Sequence, residues 1–411
     1  MQLQDCLLTI LIFITTNLFA QGNSFILTNA RVFDGDSLHD KQNIVVMNGR
    51  IEAVGDSAEN CTVPLIDGSG CTVIPGLIDA HTHTESVEQL QQSLVFGVTT
   101  VLDMGTFPAH DQMLRKAAAS RKDIADFRSS GIFITAPGGH GTEYGHDIPT
   151  LATAEDAEQF VQKRIDEGAD YLKLVINGVR HERDGMPTLD SAAVYAIVKA
   201  GHAQGLLVMT HIESVEDVRL AVAAGVDGLA HHWRDSGAQP DLAKLIAAKN
   251  ICVMPTLTAI DGFLGDGPKQ LLSDTLISPY LSDFSRGELM KEVSVPPGLT
   301  MQPHMQGMRS LIDEDVLILA GSDAFSGNPR IVHGASLHRL LELFVETGLS
   351  AEETLRSATS HVADVFHLND RGRIKPGLRA DMVLVKGDPT KNILCTRDIV
   401  RIWREGIEVN R

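Results

Sequence analysis

Two histidines, His81 and His83, stand one residue apart at the end of an apolar run that begins at Leu77. In an extended strand, side chains two positions apart point to the same side, so both imidazoles can reach one ion. Imidazole nitrogen is a common ligand of zinc in proteins. The pair alone indicates a metal site only weakly, because two packed histidines would give the same pattern.

Four further candidate ligands stand at or just beyond the ends of other apolar runs: Lys173, His211, His231 and Asp323. Each has an ordinary explanation when taken alone, such as a solvated lysine or an aspartate that caps a helix. In a barrel of parallel strands, however, the carboxyl ends of the strands meet on the face where active sites lie. The whole set therefore predicts one site, although its members are far apart in the sequence.

The apolar runs alternate with helical patterns such as Ser191–Ala203 and Val215–Ala224. Eight of the runs are predicted strands: Leu77–Ala80, Thr99–Asp103, Gly131–Thr135, Tyr171–Val175, Leu206–Thr210, Gly228–Ala230, Cys252–Pro255 and Leu317–Ala320. Eight strands separated by helices predict an α/β fold, specifically a (β/α)8 TIM barrel over residues 77–369. Such a barrel takes roughly 250 residues, which leaves room in this chain for a second domain.

Both chain ends outside the barrel read as short strands with tight turns. Residues 21–76 include a predicted hairpin around Asn48-Gly49, and residues 370–411 contain further short strands. We expect the two ends to form one small β-sandwich.

The pattern of the first twenty residues is typical of an export leader. Leu7–Phe19 is apolar but shorter than the roughly 20 residues of a membrane span, and no Lys or Arg precedes it. Residues 1–20 therefore predict a signal peptide with an atypical start. The expected location is secreted or periplasmic rather than cytoplasmic, with no stable membrane span once the leader is cleaved.

Composition limits the classes of partner. The formal charge is -18, and 43% of the residues are hydrophobic. A chain this acidic, without a Lys/Arg cluster, would repel a phosphate backbone, so we expect no nucleic-acid partner. A small-molecule substrate is the expected partner, and the composition is compatible with a homo-oligomer.

Four motifs together resemble the amidohydrolase superfamily, within its imidazolonepropionase-like and prolidase-like branch, which includes Xaa-Pro and Xaa-basic dipeptidases. They are Val73–His83, Gly225–His231, Gly321-Ser322-Asp323 and Gly377–Leu384. The likeness covers nearly the whole chain after residue 24.

The resemblance implies two divalent metal ions, usually zinc. His81, His83 and Asp323 would hold the more buried ion, and His211 and His231 would hold the second. Lys173, carboxylated by carbon dioxide to N6-carboxylysine, would bridge both ions, because a carbamate offers two anionic oxygens. Asp323 would also be the catalytic residue, which takes the proton from a metal-bridging hydroxide and passes it to the leaving amine.

Residues that contact the substrate are harder to assign from the sequence. A Gly-Gly-His-Gly segment places His140 in a loop that also holds Tyr144, and similar segments occur in prolidase-like members. Arg180 is a candidate clamp for a substrate carboxylate, as are Arg183 and Arg330. The alternatives are a glycine-rich turn with a bystander histidine, and solvated arginines.

The motifs do not assign a role to His232 or to the long segment 257–315. His232 stands where the family usually has glycine, and a packed histidine is the favoured explanation. The long segment 257–315 is predicted to be a lid over the mouth of the barrel.

The leading functional hypothesis is hydrolysis of a linear carbon–nitrogen amide bond in a dipeptide or an N-acyl amino acid. The alternative on the same scaffold is hydrolysis of a cyclic amide, lactone or imine, including deamination. Lys173 favours the first, because deaminase-like members usually manage with one metal. A non-catalytic relative would typically have lost ligands, whereas all six candidate positions are filled here.

Overall fold

The computed structural model describes residues 22–55, 63–177, 186–326 and 330–411. Its strands are β1 (Phe25–Phe33), β2 (Leu38–Met47), β3 (Arg50–Gly55), β4 (Leu65–Asp67), β5 (Cys71–Pro75), β6 (Leu77–Thr82), β7 (Val98–Asp103), β8 (Asp126–Ser129), β9 (Leu172–Val175), β10 (Val208–His211), β11 (Gly228–Ala230), β12 (Cys252–Met254), β13 (Met382–Lys386), β14 (Ile399–Arg404) and β15 (Ile407–Val409). The predicted leader at residues 1–20 lies outside the described residues, so export stays a prediction.

Along the chain, the helices lie between the central strands and after them. They are α1 (Val87–Val95), α2 (Pro108–Ser120), α3 (Ala157–Asp166), α4 (Ser191–Ala203), α5 (Val215–Ala224), α6 (Pro240–Ala248), α7 (Leu257–Leu264), α8 (Asp266–Ser273), α9 (Asp283–Met290), α10 (Met301–Asp313), α11 (Ala335–Thr347), α12 (Ala351–Ser357) and α13 (Ser360–Val365). None of the helices in the described part of the chain is long and apolar enough to cross a bilayer.

One eight-stranded sheet joins both ends of the chain. Its strand order is β15-β14-β13-β5-β1-β2-β3, and β4 pairs with β1. The predicted hairpin turn is confirmed, since Asn48 and Gly49 link β2 to β3 with φ of 51° and 78°. Short strands were expected throughout residues 370–411, but residues 372–375 bend without strand pairing. The two ends thus share one sheet, while the second layer of the predicted sandwich and the domain boundaries stay predictions.

Two parallel sheets form the centre of the fold, with strand orders β6-β7-β8 and β12-β11-β10-β9. Every residue of β6, β7, β9 and β10 is buried. Parallel strands that are covered by helices on one face and by a core on the other carry such continuous apolar runs. A mixed α/β fold with parallel sheets is therefore confirmed.

Two predicted strands differ from the structure. The third was placed at Gly131–Thr135, but β8 ends before it, and only Ile134 of that segment pairs, with Leu174. Asp126 and Arg128 make the true strand look polar, which hid it. The eighth, Leu317–Ala320, forms no strand, and its Ile318 makes one isolated parallel bridge to β12.

A buried ion cluster fixes the parallel strands to the sheet built from the chain ends. Asp126, at the start of β8, pairs with Arg371, with Arg379 at 2.9 Å and with Arg404 at 3.4 Å. Burial alone would raise the pKa of Asp126, but the three guanidinium groups hold it well below its usual range. This cluster therefore links β8 to the part of the chain that forms the eight-stranded sheet.

Residues 257–315 contain four helices, α7 to α10, instead of an irregular loop. Ala259 and Phe263 of α7 line the cavity described below. That contact is consistent with a covering role for the segment, and the lid stays a prediction.

Candidate metal centre and active site

Three candidate ligands meet at the end of β6. His81 Nε2 and His83 Nε2 lie 3.4 Å and 3.6 Å from the same carboxylate oxygen, Asp323 Oδ1. Their ligand atoms all lie within 4.8 Å of one another, a spacing that one ion can bridge. His81 is fully buried, and neither of its ring nitrogens has a hydrogen-bond partner in the described residues.

The other two histidines form a second pair beside the first. His211 ends β10 and His231 directly follows β11, and these strands are neighbours in one sheet. His211 Nδ1 and His231 Nε2 are 3.0 Å apart. Adjacent parallel strands place the two rings at the same level, so widely spaced sequence positions converge.

Polar contacts on the far side of the His83 and His231 rings fix which nitrogen of each faces inward. His83 Nδ1 contacts the Gly105 carbonyl at 3.0 Å, and His231 Nδ1 contacts Thr256 Oγ1 at 2.7 Å. His211 Nε2 lies 3.6 Å from a carboxylate oxygen of Glu213. Histidines that bind metals usually donate their second N–H to such a group.

The donor set fits divalent metal ions. Nitrogen and carboxylate oxygen are ligands that zinc accepts in enzymes, and the buried, unpartnered nitrogens of His81 would otherwise be costly. Burial lowers the pKa of His81, His83, His211 and His231, so their rings are neutral at pH 7 and can donate lone pairs.

Lys173 of β9 lines the same cavity and is only 3% exposed. Burial lowers its pKa from the usual lysine range, although the nearby carboxylates of Asp323 and Asp103 oppose the change. The neutral amine is the form that reacts with carbon dioxide. The predicted carboxylated lysine is therefore chemically feasible at this position.

Asp323 is held by its neighbours in the sequence and in space. Its backbone N–H donates to the His81 carbonyl at 2.7 Å. Asp79 accepts hydrogen bonds from the backbone N–H and the hydroxyl of Ser322, at 2.8 Å and 2.5 Å. Asp79, whose pKa burial raises to about 7, is thus a positioning residue that the sequence analysis did not assign.

Two of the candidate ligands have left-handed backbone conformations, with φ of 82° at His231 and 58° at Asp323. Residues with a Cβ adopt this region at a cost of about 1–2 kcal/mol. Such strain clusters at functional sites, where the surrounding structure enforces it.

The cavity in front of these ligands has a volume of about 520 Å³. The candidate substrate-binding residues His140 and Tyr144 line it, and the His140 ring stacks on His211 with centroids 4.8 Å apart. Arg180 and Arg183 lie outside the described residues, so their predicted role is not placed. Arg330 donates to the Phe263 carbonyl at 2.7 Å and does not line the cavity.

His232 does not line the cavity and turns away from it. Its Nδ1 contacts the Pro255 carbonyl at 3.1 Å, and its ring packs edge-on against His304 of α10. These contacts support the interpretation of His232 as a packed histidine.

Several residues that line the cavity were not predicted from the sequence. They are the charged residues Glu85, Glu213 and Arg234 and the aromatic residues Phe107, Phe133, Phe263 and Phe325. All of them except Phe263, which belongs to α7, stand in loops beyond the strand ends, where no periodic pattern marks them. Only their nearness to the histidines in the sequence could have suggested Glu213 and Arg234.

Replacing Gly321 with alanine is expected to damage the metal centre. A Cβ at Gly321 would lie 2.6 Å from the Cβ of His81 and 2.9 Å from its backbone nitrogen, closer than side chains approach. We expect a destabilisation of about 1–3 kcal/mol, with a lower metal content after dialysis, measured by thermal unfolding and elemental analysis.

The matched control is Gly287→Ala, in the helix α9. A Cβ there meets nothing within 4 Å, and the change should stabilise the helix by about 0.5–1 kcal/mol. If the Gly321→Ala variant unfolds like the wild type and keeps its metal, the close packing of Gly321 on His81 is wrong.

Parallel sheets whose strand ends present imidazoles, a carboxylate and a buried lysine define an α/β protein with a candidate metal site. Residues 72–409 match the amidohydrolase family. Because the match covers most of the chain, the protein belongs to this family.

Two curated relatives and one solved structure are among the proteins that the chain resembles. Adenine deaminase of Lysinibacillus sphaericus is 26% identical over 397 residues, which cover 94% of this chain and 57% of the deaminase. The chain thus spans less than two thirds of that relative. Imidazolonepropionase of Deinococcus radiodurans is 23% identical over 371 residues, which cover 86% of this chain and 87% of that enzyme.

The solved structure is a Xaa-Pro dipeptidase with methionine bound in its active site. Its TM-score is 0.75 at 21% identity, and the alignment covers 94% of this chain and 100% of the dipeptidase chain. The likeness shows that the two proteins share a fold.

Proposed function

We propose that this chain is a binuclear metal-dependent hydrolase that cleaves a carbon–nitrogen amide bond in a small substrate, such as a dipeptide or an N-acyl amino acid. The observation that carries the proposal is the convergence of four neutral imidazoles, one carboxylate and a buried lysine at one site, of which all but His81 line the cavity. Membership of the amidohydrolase family supports hydrolysis as the reaction.

The proposed ligands divide into two sets. His81, His83 and Asp323 would hold one ion, and His211 and His231 would hold the other. Lys173, as a carbamate, would supply one anionic oxygen to each ion. Zinc is the proposed metal, because imidazole and carboxylate are among its usual ligands.

Two divalent ions, when bound, would polarise the scissile carbonyl and make hydroxide available from water near neutral pH. Asp323 would accept the proton of the attacking water and deliver it to the leaving amine. Its position suits this role, because its backbone is fixed to His81 and its carboxylate faces the cavity. His140, stacked on His211, would donate a hydrogen bond to the substrate carbonyl.

The same proposal includes closure of the two parallel sheets into a (β/α)8 barrel. Isolated parallel bridges support it at each gap between the sheets: Ile134 with Leu174, Val253 with Ile318, and Thr82 with Ala324. These bridges connect the segment after β8 to β9, and connect residues 318–324 to both β12 and β6.

A second candidate function is hydrolysis of a cyclic amide, lactone or imine, including deamination. It is favoured by the match to imidazolonepropionase, which extends over 87% of that enzyme, and by the match to adenine deaminase. It would need only one ion, and Lys173 would then keep its amine.

One experiment separates these functions. We expect zinc-loaded protein to hold about two ions per chain, measured by elemental analysis. It should hydrolyse members of a dipeptide and N-acyl amino acid library in preference to cyclic amides, lactones and aminopurines, and chelation should abolish the activity.

One tightly bound ion together with turnover of cyclic compounds alone would establish the second function instead. Metal-replete protein that is inactive on the whole panel would contradict both functions and point to a binding protein.

A further inference from the structure

The candidate active-site cavity contains one arginine among its described lining residues, Arg234. It stands three residues after the proposed ligand His231, and its side chain is 23% exposed. Lys173 is the other long cationic side chain of the lining, and the proposed carbamate would make it anionic. Arg234 would then be the one permanently cationic side chain in the described lining of this cavity.

Among the described residues, Arg234 is only loosely paired. Its Nη1 lies 3.5 Å from Glu213 Oε1, whereas charge-assisted hydrogen bonds of this type are about 2.7–2.9 Å long. The same Glu213 oxygen also faces His211 Nε2 at 3.6 Å. A guanidinium group has five N–H donors in a fork that matches a carboxylate. Arg234 therefore retains the capacity to bind a carboxylate of the substrate.

The side of the cavity near His83 is aromatic. The Phe325 ring lies 5.5 Å from the His83 ring and 5.8 Å from the Tyr144 ring, measured between centroids. Phe107, Phe133 and Phe263 also line the cavity. We call these four phenylalanines and Tyr144 the aromatic wall. Such a surface gains free energy when it covers an apolar group of similar size.

We propose that Arg234 binds a free carboxylate next to the scissile amide, while the aromatic wall binds an apolar side chain of the same substrate. The substrate class is then a dipeptide or N-acyl amino acid with an aromatic or large aliphatic side chain. This inference rests on the proposed amide hydrolysis, and it assigns Arg234 as the residue that determines specificity for the carboxylate.

The kinetic test compares substrates that differ only in the carboxylate. Glycyl-L-phenylalanine and N-acetyl-L-phenylalanine are each measured against the decarboxylated analogue made with 2-phenylethylamine. We expect the wild type to prefer the carboxylate by about 10- to 100-fold in kcat/KM. Arg234→Met should remove the preference, mainly through KM, because the contact exists before as well as during the reaction.

Two further variants serve as controls. Arg234→Lys keeps the charge without the fork, and should retain part of the preference. Arg219→Met removes an arginine from the exposed surface of α5, and should retain all of it. A wild type that turns over both members of a pair equally would overturn the assignment, as would an Arg234→Met variant that keeps the preference.

A binding test separates this inference from the proposed reaction. 3-Phenylpropionate and 3-phenylpropan-1-ol contain no carbon–nitrogen bond, and each is titrated calorimetrically into metal-loaded protein. We expect Arg234→Met to weaken binding of the acid by at least about tenfold and to leave the alcohol unchanged, whereas Arg219→Met changes neither.

The two proposals then fail in different ways. Protein that hydrolyses no amide but shows this binding pattern contradicts the proposed function and keeps Arg234 as the carboxylate site. Protein that hydrolyses amides but binds the acid equally well in the Arg234→Met variant contradicts only the present inference.

Discussion

The Asp323→Asn variant of the metal-loaded protein is expected to lose about 10³-fold in kcat. A positioned acid–base group contributes about 10²–10⁴-fold to a rate, and asparagine can neither accept a proton from water nor pass one to an amine. The change is nearly isosteric, so the hydrogen bond from the Asp323 backbone to His81 should survive. Steady-state kinetics with the best substrate of the amide library measures the effect.

Metal analysis must accompany this measurement, because Asp323 is also a proposed ligand. If the variant keeps its ions, the loss in kcat reports the proton transfer, whereas loss of an ion reports ligation. Asp266→Asn is the matched control, since its side chain is 78% exposed on α8 and lies outside the cavity lining. An Asp323→Asn variant within threefold of the wild type would remove Asp323 from the mechanism.

The histidine positions could be predicted from the sequence because local geometry determines them. The spacing of His81 and His83 has the strand period of two, and the strand before them is apolar except for Asp79. His211 and His231 each follow a short apolar run, and parallel pairing of neighbouring strands then forces the two rings together. The structure adds the distance of 3.0 Å between His211 Nδ1 and His231 Nε2. No sequence pattern could supply that distance.

Residues whose position depends on contacts distant in the sequence could not be predicted in this way. The strand β8 escaped prediction because Asp126 and Arg128 are polar, and their partners are Arg371 and Asp170 in other parts of the chain. Arg234 lies in a loop, where the backbone carries no periodicity. Arg234 is of interest because it lines the cavity. The cavity forms only when several loops come together in the folded structure.

Contacts on the outward side of two candidate ligands, His83 and His231, fix the orientation of their rings. The Gly105 carbonyl and the Thr256 hydroxyl each orient one ring, and neither residue belongs to the motifs that the sequence displays. Thr256 itself has a left-handed backbone, with φ of 46°. The cost of that conformation is consistent with a position dictated by the site instead of by local preference.

Replacing Lys173 with alanine is expected to lower the metal content from about two ions per chain to about one, and kcat by about 10²-fold or more. The physical reason is that the carbamate is the one anionic group proposed to touch both ions, and alanine offers no ligand. Because Lys173 lines a cavity, shortening its side chain should cost the fold little. Elemental analysis and kinetics on the same preparation measure the two effects.

Short carboxylic acids supply a test that a purely structural role of Lys173 would not pass. Acetate or propionate fits the space left by the side chain and has two anionic oxygens, so it should restore part of the activity and of the second ion. A carbonyl signal from ¹³C-labelled bicarbonate should appear in the wild type and be absent in the variant. Lys199→Ala, on the exposed face of α4, should change neither metal content nor the signal. A Lys173→Ala variant that keeps two ions and wild-type kcat would refute the carbamate bridge and leave the single-ion reaction on cyclic substrates as the better account.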